Sequence, residues 1–169
     1  MHQDTDSPTL ILVCGLPGSG KTTHARRLEI ETGAIRFCPD EWMQALAVDL
    51  YDEDRRARIE ALQWHVGQQL LAQGASVIIE WGTWARSERD ALRLRAHALC
   101  ARTELHYLSA PLEVLFERTQ LRGLENPPIT REDLQCWSEL FEAPDAEEIA
   151  LYDWFRTIDG TSCNVGATD

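Results

Sequence analysis

The chain is nearly devoid of lysine. Fifteen of its sixteen basic residues are arginine, and the one lysine is Lys21. Positive charge is scarce altogether: 28 acidic residues leave a formal net charge of −12. Nucleic-acid binders carry a basic footprint, and anionic lipid surfaces recruit polybasic segments, so neither partner is expected. Long apolar runs are missing too; none approaches the ~20 residues of a membrane span. Cys14, Cys38, Cys100, Cys136 and Cys163 are odd in number and form no CxxC pair. Met1–Pro8 is polar and acidic, unlike a secretory signal. These absences predict reduced thiols and a cytoplasmic location. Internal repeats and low-complexity segments are also lacking.

What is present is ordinary globular composition. The 169 residues are 44% hydrophobic and 26% charged. That length suits one domain whose core needs neither disulfides nor metal. Residues 1–8 and 159–169 read as flexible tails around a domain spanning 9–158.

Hydrophobic patterning alternates between strand and helix. Thr9–Cys14 is a continuous apolar run of buried-strand length, followed by a glycine-rich turn. A helix is expected from Lys21 to Thr32, stopped by Gly33. Ala34–Cys38 reads as a second strand, and Pro39 opens a helical stretch. Arg55–Gln73 carries helical periodicity. Ser76–Ile79 is an apolar strand closed by Glu80. Ser87 with Asp90 resembles a capping box for a helix reaching Leu99. Thr103–Leu108 is a strand, and Pro111 suits the start of a helix ending near Arg122. After a break at Gly123–Ile129, helices are expected over Thr130–Glu142 and Pro144–Tyr152, then a strand over Trp154–Ile158. This order predicts an α/β fold: a parallel sheet with helices on both faces. Ligands in such sheets sit beyond the carboxyl ends of the strands.

At the first such end stands Gly15-Leu-Pro-Gly-Ser-Gly20-Lys21-Thr22, a complete P-loop. Its glycines turn backbone N–H groups inward around phosphate oxygens, and the following helix aims its positive end at them. Gly15, Pro17, Gly18, Ser19, Gly20, Lys21, Thr22 and Thr23 are the candidate nucleotide-binding residues. Lys21 is expected to reach the β- and γ-phosphates, and the Thr22 hydroxyl to coordinate Mg²⁺.

The other strand ends carry acidic, basic and aromatic residues. Asp40, after the second strand, is placed to orient an acceptor hydroxyl and take its proton. A helix N-cap role for Asp40, or Glu41 as the base, is the alternative. Glu80 follows a wholly apolar strand; it holds a Mg²⁺-bound water or a substrate hydroxyl, or is a solvated strand end. Arg118 and Arg122 share a helix face beside the break. They either clamp a transferring phosphate or form an exposed face. Arg86 and Arg89 open a helix where cations oppose its dipole, which suits an anionic ligand there, or they are plain surface positions. Trp42, Trp81 and Trp84 at the strand ends suit a planar or sugar-like acceptor, or ordinary packing. Arg131 is a weaker candidate for a lid over about residues 118–131. His24, inside the P-loop helix, reads as a packed or exposed residue.

With the P-loop, Asp40, Glu80, Arg118 and Arg122 in place, the chain resembles the small P-loop kinases. That group includes zeta toxins, chloramphenicol phosphotransferase and the kinase domain of polynucleotide kinase. The resemblance covers Thr9–Ile158 and is greatest to bacterial ATP-binding members without an assigned substrate. It implies a P-loop three-layer sandwich with strand order 2-3-1-4-5 and a small helical lid. It implies ATP and Mg²⁺ as cofactors, Asp40 as the catalytic aspartate and Arg118 and Arg122 as lid arginines. Two features depart from the group: the acidic surface and the tryptophan-rich Glu80-Trp-Gly-Thr-Trp84 loop.

The expected function is therefore an ATP-dependent kinase acting on a hydroxyl of a small molecule: a metabolite, nucleoside, sugar or antibiotic. Lys21, Asp40, Arg118 and Arg122 are its catalytic candidates. Thr22 and Glu80 are the metal candidates, and Asp40, Trp42, Glu80, Trp81, Trp84 and Arg86 line the acceptor side. A polynucleotide 5′-hydroxyl kinase and an ATP-binding regulatory module without an acceptor are the alternatives.

Overall fold

A computed structural model describes residues 7–162. The elements run β1 (Thr9–Cys14), α1 (Lys21–Thr32), β2 (Ile35–Phe37), α2 (Pro39–Ala45), α3 (Glu53–Ala72), β3 (Val77–Ile79) and α4 (Arg86–Ala98). They continue with β4 (Arg102–Ser109), α5 (Leu112–Arg122), α6 (Arg131–Leu140), α7 (Ala146–Ile149) and β5 (Trp154–Asp159). A 3₁₀ turn, Gly160–Ser162, ends the described chain.

All strand pairs are parallel, and the sheet order is β2-β3-β1-β4-β5. This is the order that the resemblance implies. Successive side chains of a strand point to opposite faces, and β1 shows the consequence. Leu10, Leu12 and Cys14 enter one core cluster with Leu71 of α3 and Leu92 and Ala96 of α4. Ile11 and Val13 enter another with Ala25 of α1. The continuous apolar run is thus a strand buried on both faces by helices. A third cluster joins Leu115 of α5, Ile129 and Leu134 of α6 to Leu16 of the glycine-rich turn.

Several boundaries differ from the sequence reading. The helix expected over Pro144–Tyr152 shrinks to α7, capped by Asp145, whose carboxylate accepts from the Glu148 N–H at 2.8 Å. The chain must then turn so that Asp153 N–H reaches Thr103 O at 3.0 Å and β5 can join β4. The cap of α4 lies two residues earlier than Ser87. Ala85 N–H donates to the Glu88 carboxylate at 2.9 Å, which is the half of a capping box that needs no hydroxyl. The expected box is instead found on α6, where Thr130 and Asp133 cap each other. Residues 159–162 are not tail: Asp159 pairs with Ser109 in β5, and Gly160 is buried. Residues 1–6 and 163–169 of the expected tails, with Cys163, lie outside the described residues. The four described cysteines are unpaired. Among the described residues, no helix is long and apolar enough to cross a membrane.

Candidate active site

The turn between β1 and α1 has close neighbours on two sides. A Cβ on Gly15 would stand 2.4 Å from Leu108 O, and one on Gly18 would stand 2.6 Å from Leu115 O. Both positions have positive φ, 146° and 81°. Only glycine satisfies the sterics and the backbone together. Ser19 N–H closes the turn onto Leu16 O at 3.1 Å. Gly20 caps α1 without a side-chain hydrogen bond, and no acidic residue occupies the first turn. The positive end of the helix is therefore free of any carboxylate of its own. Lys21 Nζ donates to Gly15 O at 2.8 Å and Leu16 O at 3.0 Å. Burial lowers its pKa to about 8, against the opposing pull of Asp40 and Glu80. Ser19 is buried, and its Oγ has no hydrogen-bond partner. A half-buried Thr22 stands in the first turn, while Thr23 is exposed. A half-buried cation, an uncapped helix start and an orphan hydroxyl at one turn fit a polyphosphate chain.

Asp40 and Glu80 come together beside this turn. Phe37 pairs with Ile79 across β2 and β3, and Glu80 N–H continues the ladder to Phe37 O at 3.2 Å. Asp40 is not the N-cap of α2; Cys38 holds that position and Pro39 begins the helix. That removes the capping role as an explanation of Asp40. Its carboxylate instead meets Arg56 of α3 at 2.7 Å. Glu80 is 4% exposed and pairs through Oε1 with Arg36 at 2.8 Å. Its Oε2 is buried without a close hydrogen-bond partner among the described residues, with the Cys38 thiol beside the carboxyl. Burial raises the Glu80 pKa. It is therefore no solvated strand end. Cys38, Glu41 and Glu80 bring donor atoms within 4.8 Å of one another. Arg36 also meets Glu41 at 2.8 Å, so a guanidinium already neutralises that cluster. Glu41 is further held by Arg26 at 2.7 Å.

The arginines divide. Arg118 donates to Gly18 O at 3.4 Å, which sets it against the P-loop. Arg122 pairs with Glu125 in the segment between α5 and α6. Arg131 lies over the Phe116 ring, 3.9 Å from its centroid, and pairs with Glu113. The anionic-ligand reading of Arg89 is overturned. Arg89 is fully buried and makes a two-pronged pair with Glu148, at 2.6 and 2.8 Å. It also donates to the carbonyls of Thr83, Trp84 and Glu142. Carboxylates of the chain itself offset the helix dipole that a ligand was expected to answer. Arg86 is drawn the same way, to Asp145 at 3.1 Å and Asp90 at 3.7 Å.

The tryptophans do not form one cage. Trp42 meets Phe37 edge-on. Trp81 donates from Nε1 to Gln63 Oε1 at 2.9 Å. Trp84 contacts Trp137 of α6, with ring centroids 5.8 Å apart. His24 is packed, bonded to His106 at 2.8 Å. Desolvation and the neighbouring His106 lower the His24 pKa to about 4.

Sequence reasoning missed Arg36, Arg56, Glu60, Gln63, Tyr51 and Glu148. One signal was available for three of them: residues 56, 60 and 63 have the spacing of a single helix face. Tyr51 ties the segment after α2 to the segment between α5 and α6, because its hydroxyl donates to Pro127 O at 2.8 Å.

A parallel sheet in this order, with a glycine-rich phosphate turn at the end of β1, defines the P-loop class of nucleotide-binding folds. A family model described as an AAA domain matches residues 10–144, and the chain belongs to that family. Among curated proteins no match is found. Of solved structures, a provisionally named kinase from Chloroflexus aurantiacus shares 22% identity at TM-score 0.70, over 90% of this chain and 88% of that one. A gluconokinase from Sinorhizobium meliloti shares 21% identity at TM-score 0.59, over 91% and 82%. A chain of the Pnkp1/Rnl/Hen1 RNA repair complex shares 23% identity at TM-score 0.66, over 82% of this chain and 45% of that one. These likenesses establish the fold.

Proposed function

We propose that the protein is a kinase that transfers the γ-phosphoryl group of ATP to a hydroxyl of a small molecule. The observation that carries this reading is the joining of two chemistries at one sheet edge. Half-buried Lys21 is held by carbonyls of the glycine-rich turn, and the carboxylates of Asp40 and Glu80 act on it from the next strand ends. A carboxylate at that place suits an acceptor hydroxyl and weighs against a nucleotide-binding module without one.

The loop amides and Lys21 hold the β- and γ-phosphates. Thr22 and the unpartnered oxygen of Glu80 are the residues that would hold Mg²⁺ or its water. Bound there, the metal supplies charge neutralisation to the phosphate oxygens. Asp40, oriented by Arg56, accepts the proton of the acceptor hydroxyl as its oxygen bonds to the γ-phosphorus. The bond to the bridging oxygen breaks, and ADP leaves. Arg118, set against the P-loop, offsets charge on the moving phosphoryl group. Arg122 joins it from the segment that forms the lid.

The likeness to an RNA repair chain favours a second acceptor, an oligonucleotide end. The net charge of −12 weighs against it. Transfer from γ-labelled ATP to small polyols, nucleosides and 5′-hydroxyl oligonucleotides separates the two. Small-molecule label that disappears in Asp40→Asn is the expected result. Label on oligonucleotides alone replaces the acceptor class. Nucleotide binding without transfer to any acceptor overturns the kinase.

A further inference from the structure

Helix α3 turns one stripe toward the acceptor side of the cleft. Two tertiary contacts orient that stripe. Arg56 reaches Asp40 at 2.7 Å, and Gln63 receives the Trp81 indole N–H at 2.9 Å. A turn further on, Gly67 lies against Phe37, where a Cβ would stand 3.4 Å from the ring. Glu60 sits between Arg56 and Gln63 on the same face. It therefore projects between Asp40 on α2 and the loop that follows β3.

Glu60 is half-buried and has no hydrogen bond or ion pair among the described residues. The charged groups acting on it are Arg56, Glu88, Asp40 and Glu53. Three are carboxylates, and the one guanidinium is committed to Asp40. Burial first, and these carboxylates after it, push the Glu60 carboxyl up to about 7. One turn away, Gln63 is 0% exposed and its Nε2 has no partner. Thr83, 7% exposed, has an unpartnered Oγ1 and a left-handed backbone, φ 39°. A carboxylate short of positive charge thus stands on the α3 face that also meets the proton acceptor through Arg56. A desolvated carboxylate gains most from a ligand that brings its own cation.

We propose that the acceptor is an aminated polyol, such as an amino sugar or aminocyclitol. Its ammonium meets Glu60, the half-buried carboxylate of that face. Glu60 is then a specificity-determining residue, which selects the acceptor and leaves proton transfer to Asp40. This inference rests on the kinase reading above.

The test is phosphoryl transfer from γ-labelled ATP at pH 8 to four matched acceptor sets. These are aminated polyols, their N-acetylated forms, the neutral parents and carboxylated parents. The amines are expected to exceed their N-acetylated forms by at least ~10-fold in kcat/KM, the scale of one charge-assisted hydrogen bond. In Glu60→Gln that preference disappears through KM rather than kcat. Thermal denaturation gives a readout without turnover: the amine raises the melting temperature of wild type and leaves that of Glu60→Gln where it was. Preference for neutral or carboxylated acceptors overturns the proposal and leaves the kinase standing. An equal fall of kcat for every acceptor in Glu60→Gln also overturns it, because Glu60 would then be handling the proton. Stabilisation by the amine through Glu60, with no transfer to any acceptor, upholds the amine site and removes the kinase.

Discussion

The two ends of the cleft are built in different ways. The phosphate end is one contiguous turn, Gly15–Thr22, made chiefly of backbone and closed by its own hydrogen bonds. The proposed acceptor end is assembled from side chains on α2, α3 and the loop after β3, held by Arg36, Arg56 and Arg89. A backbone turn depends on local conformation, so nearby residue types encode it. A side-chain wall depends on elements distant in the chain meeting in register. The first can be shared across many proteins; the second is where one protein's acceptor is decided.

Single substitutions can break this contrast. Lys21→Ala should abolish transfer while leaving the fold intact, since the ammonium meets only carbonyls of its own loop. Loss of activity together with loss of the folded state would show that the phosphate end is structurally necessary as well. Asp40→Asn should lower kcat by at least ~10²-fold, within the range of a general base, with nucleotide affinity nearly unchanged. Single-turnover assays beside nucleotide titration check this; full activity would remove Asp40 from proton transfer.

Arg89→Ala attacks the frame of the acceptor end. Breaking a buried pair leaves Glu148 uncompensated and costs about 3–5 kcal/mol. Urea denaturation should read that loss, and nucleotide binding by the protein that remains folded should persist. Equal damage to both ends would erase the contrast.

Nucleotide affinity sharpens it through pH. The folded pKa of Lys21, about 8, lies below its ordinary 10.5. Without ligand, the folded state loses its proton first, so this residue's contribution to stability rises with pH from about 8 to 10.5. Bound phosphate favours the charged amine, so nucleotide affinity should fall above pH 8, by up to ~10-fold per unit. Calorimetric titration across that window tests it; constant affinity would separate Lys21 from the phosphates. The smallest effect is expected for Tyr51→Phe. It removes one exposed hydrogen bond to Pro127, worth ~1 kcal/mol or less. Acceptor KM should rise a few-fold and nucleotide KM should not move.

Much of the fold was legible in the chain. The apolar run Thr9–Cys14 and the glycines around Ser19 specify a buried strand and a phosphate turn without reference to distant residues. Helix ends were legible where a local cap exists, as with Gly33 after α1. They failed at residues 144–152, where the joining of β5 to β4 overrides local helical preference. Arg89 was misread for the same reason. Its position opposes the dipole of α4, and its partner, Glu148, is 59 residues away.

The sequence by itself determined that this chain makes an α/β sheet with a P-loop at its first strand end. Those features rest on hydrophobic period and on glycine, both local properties of the chain. Only the tertiary structure decided which charges pair with one another and which do not. It turned Arg89 inward, gave Arg56 to Asp40, and left Glu60 and Gln63 Nε2 without partners among the described residues. Pairing is set by distance in space, and residues far apart in the chain do not reveal that distance until the elements carrying them pack.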